Sequence, residues 1–288
     1  MSFRTRAEKG PQIIGDVVAV PDSEKTWKVG ARVGGPWHGG HDGTCKACKR
    51  GLFQMCKNES VNGVTRDGGY AEYVMLRTEA VVSVPEEADP AEYCPILCAG
   101  ITVFNSLRKQ NIPQGELVGV QGLGGLGHLA LQYANKMGYK VVAISSSADK
   151  EDFARKLGAH EYIDGSKGDV GEQLQKLGGA ACVIFTAPNP KLIQPLMGGL
   201  GPLGKLLILA AAGPAEIDTA AMIANGLSVV AWPSGHALDS EEAIDFAMGH
   251  DVHCMVEKFS LDNANEAFQH MLSGSVRFRA VLEMSKKD

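Results

Sequence analysis

Hydrophobic and polar positions follow two different rhythms along this chain of 288 residues. Before about residue 100, short apolar or alternating segments are separated by Gly, Pro and Asp, which is typical of β-strands joined by turns. Strands are predicted there at residues 13–20, 69–76 and 80–84. The first third of the chain is therefore predicted to be β-rich.

From residue 117 onward, short apolar runs alternate with segments whose apolar positions recur at helical spacing. The predicted strands are residues 117–121, 140–144, 182–186, 205–210, 227–232 and 280–283. The predicted helices are residues 125–137, 149–157, 240–249 and 263–272. Strands that alternate with helices form βαβ units, so this part is predicted to be an α/β fold with a doubly wound parallel sheet.

The first of these strand-to-helix junctions has the pattern Gly-x-Gly-x-x-Gly. Its six residues are Gly122, Leu123, Gly124, Gly125, Leu126 and Gly127. The pattern follows a predicted strand and opens a predicted helix, which is the context expected of a dinucleotide-binding Rossmann turn. Gly122 permits the tight turn, Gly124 lets a pyrophosphate approach the backbone, and Gly127 allows close packing of helix on strand. The alternative is a structural glycine turn without a ligand.

The end of the second strand indicates which cofactor binds. Enzymes that use NAD usually carry Asp or Glu about twenty residues beyond the glycine turn, where it bonds to the ribose hydroxyls. This chain instead has Ser145, Ser146, Ser147 and Lys150. Small hydroxyls with a nearby cation accept a 2′-phosphate, which a carboxylate would repel. NADP(H) is therefore favoured over NAD(H), the alternative being that the serines only cap the next helix.

Composition excludes several classes of partner. The formal net charge is -5, so no basic field attracts nucleic acid or anionic lipid. No apolar run reaches the roughly 20 residues that a membrane helix needs. The amino terminus is polar and lacks the apolar core of a signal peptide. A cytoplasmic protein without nucleic-acid or membrane partners is expected.

Three of the seven cysteines fall within twelve residues. They are Cys45, Cys48 and Cys56. In a reducing compartment such a cluster indicates a metal site more strongly than a disulfide framework. Zinc takes four tetrahedral ligands, and Asp42 continues the same spacing three residues before the first thiol. His41 and His38 are the alternative fourth ligands. Four protein ligands would make the zinc structural; the other interpretation is three reduced cysteines without metal.

Together these features resemble the zinc-dependent alcohol dehydrogenases of the medium-chain dehydrogenase/reductase superfamily. Further matching segments are Gly-Gly-Tyr-Ala-Glu-Tyr at 68–73, Cys-Ala-Gly-Ile-Thr at 98–102 and Arg-Ala-Val-Leu at 279–282. The serine–lysine segment is similar to that of the cinnamyl-alcohol type, which uses NADP.

The resemblance implies three parts of the chain. Residues 1–99 would form a GroES-like catalytic domain with the structural-zinc lobe, incomplete at its amino terminus. Residues 100–235 would form the Rossmann NADP(H)-binding domain, and residues 236–288 would return to the catalytic domain. The implied reaction is hydride transfer between NAD(P)(H) and a small alcohol or aldehyde, in a homodimer or homotetramer.

The resemblance also implies roles for single residues. Thr102 would lie near the nicotinamide, Thr186 would border its ribose, and Arg279 would pair with the pyrophosphate, which suits a guanidinium fork. Cys98 would be a ligand of the catalytic zinc, the ion that polarises the substrate oxygen for hydride transfer.

One family motif is altered. In the family, a Gly-His-Glu sequence supplies the second ligand of the catalytic zinc, but here Gly10 is followed by Pro11 and Gln12. The third ligand, an early Cys, would precede Met1. The catalytic zinc is therefore expected to have an incomplete ligand set, and the chain is expected to be truncated at its amino terminus. Two alternative functions are a catalytically silent NADP(H)-binding protein and a zinc-independent quinone or enone reductase.

Overall fold

The computed structural model describes Gly10 and residues 12–284, so Pro11 lies outside the described residues. The chain forms two compact units. One contains the residues up to Ile101 together with those from Ser234 onward, and the other contains Thr102–Pro233.

Strands and helices alternate in the second unit, whereas the first is mainly strands, turns and short helices. The strands are β1 Ile13–Asp16, β2 Arg32–Gly35, β3 His38–Gly40, β4 Ser60–Val61, β5 Val82–Ser83, β6 Leu117–Gln121, β7 Lys140–Ser145, β8 Glu161–Asp164, β9 Ala180–Phe185, β10 Leu200–Ile208, β11 Ser228–Ala231, β12 Val256–Ser260 and β13 Arg279–Glu283. The α-helices are α1 Pro90–Tyr93, α2 Ala99–Arg108, α3 Gly127–Lys136, α4 Glu151–Lys156, α5 Val170–Lys176, α6 Ile193–Gly198, α7 Thr219–Asn225, α8 Ala237–His250 and α9 Ala264–Leu272.

The second unit is built on a six-stranded sheet with the order β11-β10-β9-β6-β7-β8, in which all neighbours are parallel. All five residues of β6 are buried, as expected for a strand covered on both faces. The chain leaves β6 toward β7 on one side, and β9 pairs on the other. The order of strands therefore reverses at β6, where open α/β sheets bind ligands beyond the carboxyl ends of their strands.

The first unit contains three small sheets. Strands β1, β2 and β5 form an antiparallel sheet, β3 pairs with β4, and β12 pairs with β13 in parallel. Val17, Val33, Leu76 and Val81 form a buried cluster beside the first of these sheets. These four side chains thus pack one small apolar cluster in this unit.

The predicted parallel α/β sheet is confirmed, but the strand predicted at residues 69–76 is wrong. That segment forms bends and extended chain, with Gly69 N–H bonded to Gly10 O at 2.7 Å and Ala71 N–H bonded to Gly69 O at 2.8 Å. Its alternating pattern reflects Leu76 packing into the small core, not membership of a sheet. The strand predicted at 13–20 ends earlier, at Asp16.

Helices of the described part of the chain are all too short or too polar to cross a membrane.

Candidate cofactor and metal sites

The glycine turn lies between the carboxyl end of β6 and the first residue of α3. Gly122 has a φ of +94°, a conformation that side-chain-bearing residues rarely adopt. An added Cβ on Gly127 would lie 1.8 Å from the carbonyl oxygen of Gly122, so helix and turn are packed as closely as the motif predicts. A Cβ on Gly124 would meet nothing within 4 Å, so this side of the backbone is open to a ligand.

Of the remaining residues of the turn, one is buried and two are half-buried. Leu123 is only 6% exposed and anchors the turn, while Gly125 and Leu126 are half-buried. Two backbone hydrogen bonds define the first turn of α3. His128 N–H donates to Gly124 O at 3.0 Å, and Ala130 N–H donates to Leu126 O at 2.9 Å. The amides at the start of a helix have no partner within it, so they suit an anionic ligand.

The serine segment follows β7, the strand next to β6. Ser145 is buried as the last residue of β7, Ser146 is exposed, and Ser147 and Lys150 are half-buried. The Ser147 hydroxyl is hydrogen-bonded to the Asp149 carboxylate. These residues therefore end or directly follow the strand next to β6.

Four candidate metal ligands are brought together in the cysteine lobe. One ligand atom from each of Asp42, Cys45, Cys48 and Cys56 lies within 4.8 Å of all the others. The Sγ atoms of Cys45 and Cys48 are 3.6 Å apart, and Cys48 Sγ lies 3.7 Å from Asp42 Oδ1. A zinc tetrahedron with thiolates at ~2.3 Å has edges of about 3.8 Å, so these donors fit zinc. Among the residues described, this is the one such group of three or more His, Cys, Asp or Glu side chains.

Hydrogen-bond donors surround the anionic forms of these ligands. Backbone N–H groups, first that of Cys48 and then that of Lys57, lower the pKa of Cys45 to about 7. The N–H of Thr44 and the Asn58 amide hold the pKa of Asp42 well below its ordinary value. Burial raises the pKa of Cys48 to about 11. Zinc binds the thiolate, so the metal would displace a proton more easily at Cys45 than at Cys48.

Asn58 was not singled out in the sequence. Its side-chain Nδ2 donates to Asp42 Oδ2 at 2.6 Å, and its backbone N–H donates to Cys56 Sγ at 3.4 Å. Asp42 Oδ1, which faces the thiols, accepts from Thr44 N–H at 2.8 Å. His38 is instead bonded to Glu59 and His41, and the group of four described side chains contains Asp42 and neither histidine. Spacing alone could not reveal Asn58, because it is not itself a metal ligand.

Cys98 lies in the first unit, away from the zinc lobe in sequence. Burial raises the pKa of its thiol, and the Arg279 guanidinium and the Gln12 side chain oppose part of that shift. Arg279 Nε is buried without a hydrogen-bond partner. Within the described ranges, Cys98 does not belong to any group of three metal-binding side chains. The described residues therefore show one metal cluster, formed by the four side chains of the cysteine lobe.

The other predicted residues lie within or beside regular elements. Thr102 is half-buried in α2. Thr186 follows β9 directly, and its hydroxyl donates to Gln121 O at 2.8 Å. Cys94 is half-buried, and desolvation raises the pKa of its thiol to about 12.

Two protein-family models match the chain. The model described as "Alcohol dehydrogenase GroES-like domain" matches residues 6–86, and that described as "Zinc-binding dehydrogenase" matches residues 125–248. The first contains the cysteine lobe, and the second begins within the glycine turn.

Several similar proteins are also described as alcohol dehydrogenases. Alcohol dehydrogenase patD of Penicillium expansum is 60% identical over 275 residues, which cover 96% of this chain and 81% of that protein. An alcohol dehydrogenase of Geobacillus stearothermophilus is 37% identical over 282 residues, covering 96% of this chain and 82% of the other. The solved structure of a cinnamyl alcohol dehydrogenase from Sorghum bicolor has a TM-score of 0.85 at 28% identity, covering 96% and 82% of the two chains.

The fold and the two sites define an oxidoreductase with a dinucleotide-binding unit and a zinc lobe. The chain belongs to the zinc-binding alcohol dehydrogenases of the medium-chain dehydrogenase/reductase superfamily. It is an NAD(P)-dependent alcohol dehydrogenase, and its chemistry is hydride transfer. The predicted family, fold class and activity class are confirmed. The matches support neither a silent protein nor a quinone reductase, and they lend no support to the expected lack of a catalytic zinc.

Proposed function

We propose that this chain uses NADPH to reduce a small aldehyde and NADP⁺ to oxidise the corresponding alcohol. The observation that carries the proposal is the glycine turn at the point where the strand order of a six-stranded parallel sheet reverses. The open backbone at Gly124 and the helix N-terminus that follows it suit a pyrophosphate. Similar proteins are alcohol dehydrogenases and an aldehyde reductase, which supports the substrate class.

The preference for NADP(H) rests on the end of β7. Ser145, Ser146 and Ser147 supply hydroxyl groups, Ser145 being buried and shaping the strand end, and Lys150 supplies the positive charge. A 2′-phosphate gains a charge-assisted hydrogen bond from such a cation. NADH lacks that phosphate and gains none of this interaction.

The zinc lobe is proposed to be structural. Asp42, Cys45, Cys48 and Cys56 would occupy all four tetrahedral positions, which leaves none for substrate. When bound, the ion cross-links a lobe that has little regular structure of its own and so stabilises it.

Three further residues keep their proposed roles. Thr102 would contact the nicotinamide, and Arg279, whose buried Nε has no partner, would bind the pyrophosphate. Cys98 is the thiol at the family's catalytic position, next to Gln12 and Arg279.

The test is a titration of the zinc-loaded protein with NADPH and NADH, followed by assays with a panel of aldehydes. NADPH is expected to bind at least about tenfold more tightly than NADH. Lys150→Ala should remove most of that preference, while Lys156→Ala, which removes an exposed lysine at the end of α4, should retain it. Equal affinity for both cofactors in the wild type would contradict the preference. NADPH binding without turnover of any aldehyde would instead support the silent alternative.

The assembly and location are also proposed. Strand β11 ends the six-stranded sheet, and Ile223 and Leu203 nearby are 84% and 74% exposed. Pairing of β11 with its copy would give a homodimer, or a homotetramer built from two such pairs. Light scattering coupled to size-exclusion chromatography would measure the number of chains in the assembly.

We place the protein in the cytoplasm. We assign residues 1–99 to the catalytic domain, residues 100–235 to the cofactor-binding domain and residues 236–288 to the return to the catalytic domain.

A further inference from the structure

Thr186 is the first residue after β9, and its hydroxyl points at the end of β6. Its Oγ1 lies 2.8 Å from Gln121 O and 3.3 Å from Gly122 O. Its backbone N–H also donates to Gln121 O, at 3.1 Å. A threonine hydroxyl has one proton to donate, and here the two carbonyl oxygens are its acceptors. The side chain therefore joins the end of β9 to the first residue of the glycine turn.

The carbonyl of Gly122 is confined on its other side by the start of α3. A Cβ on Gly127 would come within 1.8 Å of this oxygen, and a Cβ on Gly122 itself would come within 2.9 Å of Thr186 Oγ1. The oxygen thus sits between the threonine hydroxyl and the helix. Gly122 has a φ of +94°, and its N–H donates to Ile144 O at 3.0 Å, so the Thr186 hydroxyl ties its carbonyl side while β7 ties its amide side.

The orientation of this peptide sets where the following amides point. Residues 123–126 connect Gly122 to α3, and their N–H groups lie at the helix start, where a pyrophosphate would be bound. Ligand-binding amides must be held close to their bound geometry to contribute fully to affinity.

We propose that Thr186 is a positioning residue that fixes the glycine turn for the pyrophosphate, acting through the backbone of Gln121 and Gly122. This rests on the proposed function, in which the turn binds the cofactor. It differs from a direct contact with the nicotinamide ribose, because the hydroxyl proton is engaged within the protein. Thr186 therefore contributes to the affinity for any ligand with a pyrophosphate, whether or not that ligand carries nicotinamide.

The test compares NADPH with ADP, which has the pyrophosphate but no nicotinamide ribose, by calorimetry. Thr186→Val keeps the shape and removes the hydroxyl, so we expect the Kd of both ligands to rise by about fivefold to tenfold. Thr186→Ser keeps the hydroxyl and should restore both Kd values to within about twofold. Val183→Ala, a change within the buried part of β9, controls for general loosening of the sheet.

A measurement without ligand completes the test. Amide hydrogen exchange of residues 122–128 should be faster in Thr186→Val than in the wild type, while exchange in β7 is unchanged. A rise in the NADPH Kd with no change for ADP would overturn the proposal in favour of a direct ribose contact. Unchanged Kd values for both, or unchanged exchange in the turn, would also overturn it. Failure of wild-type protein to bind NADPH would refute the proposed function itself.

Discussion

Replacing Gly127 by alanine tests the packing of the glycine turn against α3. The new Cβ would lie 1.8 Å from Gly122 O and 2.8 Å from Gly122 C. Both are backbone atoms, so no side-chain rotation relieves the overlap and the turn or the helix must move by about 1 Å or more. Overpacking of this kind costs about 1–3 kcal/mol, of which the better helix propensity of alanine offsets up to about 1 kcal/mol.

The same displacement moves the amides that face the cofactor. Because about 1.4 kcal/mol corresponds to a tenfold change, we expect the NADPH Kd to rise by about tenfold or more. The assay is calorimetric titration with NADPH, together with thermal unfolding of the free protein. We expect Gly127→Ala to lower both the affinity and the unfolding temperature.

Two other glycines provide matched controls. A Cβ on Gly198 meets nothing within 4 Å, so Gly198→Ala should change neither quantity. A Cβ on Gly124 also meets nothing within 4 Å, but it would occupy the space that a pyrophosphate needs. Gly124→Ala should therefore weaken NADPH binding at unchanged unfolding temperature. Wild-type affinity and stability in Gly127→Ala would refute the close packing that underlies this reasoning.

Three further predictions concern the zinc lobe and two histidines. Cys48→Ser should reduce bound zinc from one ion per chain toward none, measured with a chromogenic chelator; full occupancy would exclude this thiol as a ligand. The pKa of His253 is raised, chiefly by its hydrogen bond to Asp251 and also by Glu92, so its stabilising effect is complete below the unfolded-state pKa and disappears as pH rises through the folded-state value. His253→Ala should thus lower the unfolding temperature near pH 5 more than near pH 9, and an equal loss at both would count against it. His38 is buried with hydrogen bonds of 2.9 and 3.1 Å, so His38→Leu should cost about 1–3 kcal/mol in denaturant unfolding, and a neutral result would show these bonds to be unimportant.

The α/β unit could be predicted from sequence because its strands are buried on both faces. Residues such as those of β6 and β7 form continuous apolar runs, and glycines or capping residues separate them from the helices. The first unit was harder to predict. At residues 69–76 the apolar alternation comes from a loop that covers a small core, and no local pattern distinguishes such a loop from a strand.

The candidate sites could be predicted from sequence where their chemistry depends on the spacing of residues along the chain. The glycine turn and the Asp42–Cys56 ligand set are local, so their geometry is largely determined by the segment that carries them. Asn58 and the hydroxyl of Thr186 act through hydrogen bonds to other residues, Thr186 across 64 and 65 positions of the chain. Such contacts depend on the packed fold, which explains why the sequence suggested Thr186 as a ligand contact and not as a support for the turn.

The most direct test of the central claim is a titration of the zinc-loaded chain with NADPH, followed by addition of an aldehyde and measurement of nicotinamide absorbance. We expect saturable binding of one NADPH per chain and aldehyde-dependent oxidation of the cofactor, both weakened in Gly127→Ala. If neither NADPH nor NADH binds to folded protein, the glycine turn is not a cofactor site and the account is contradicted.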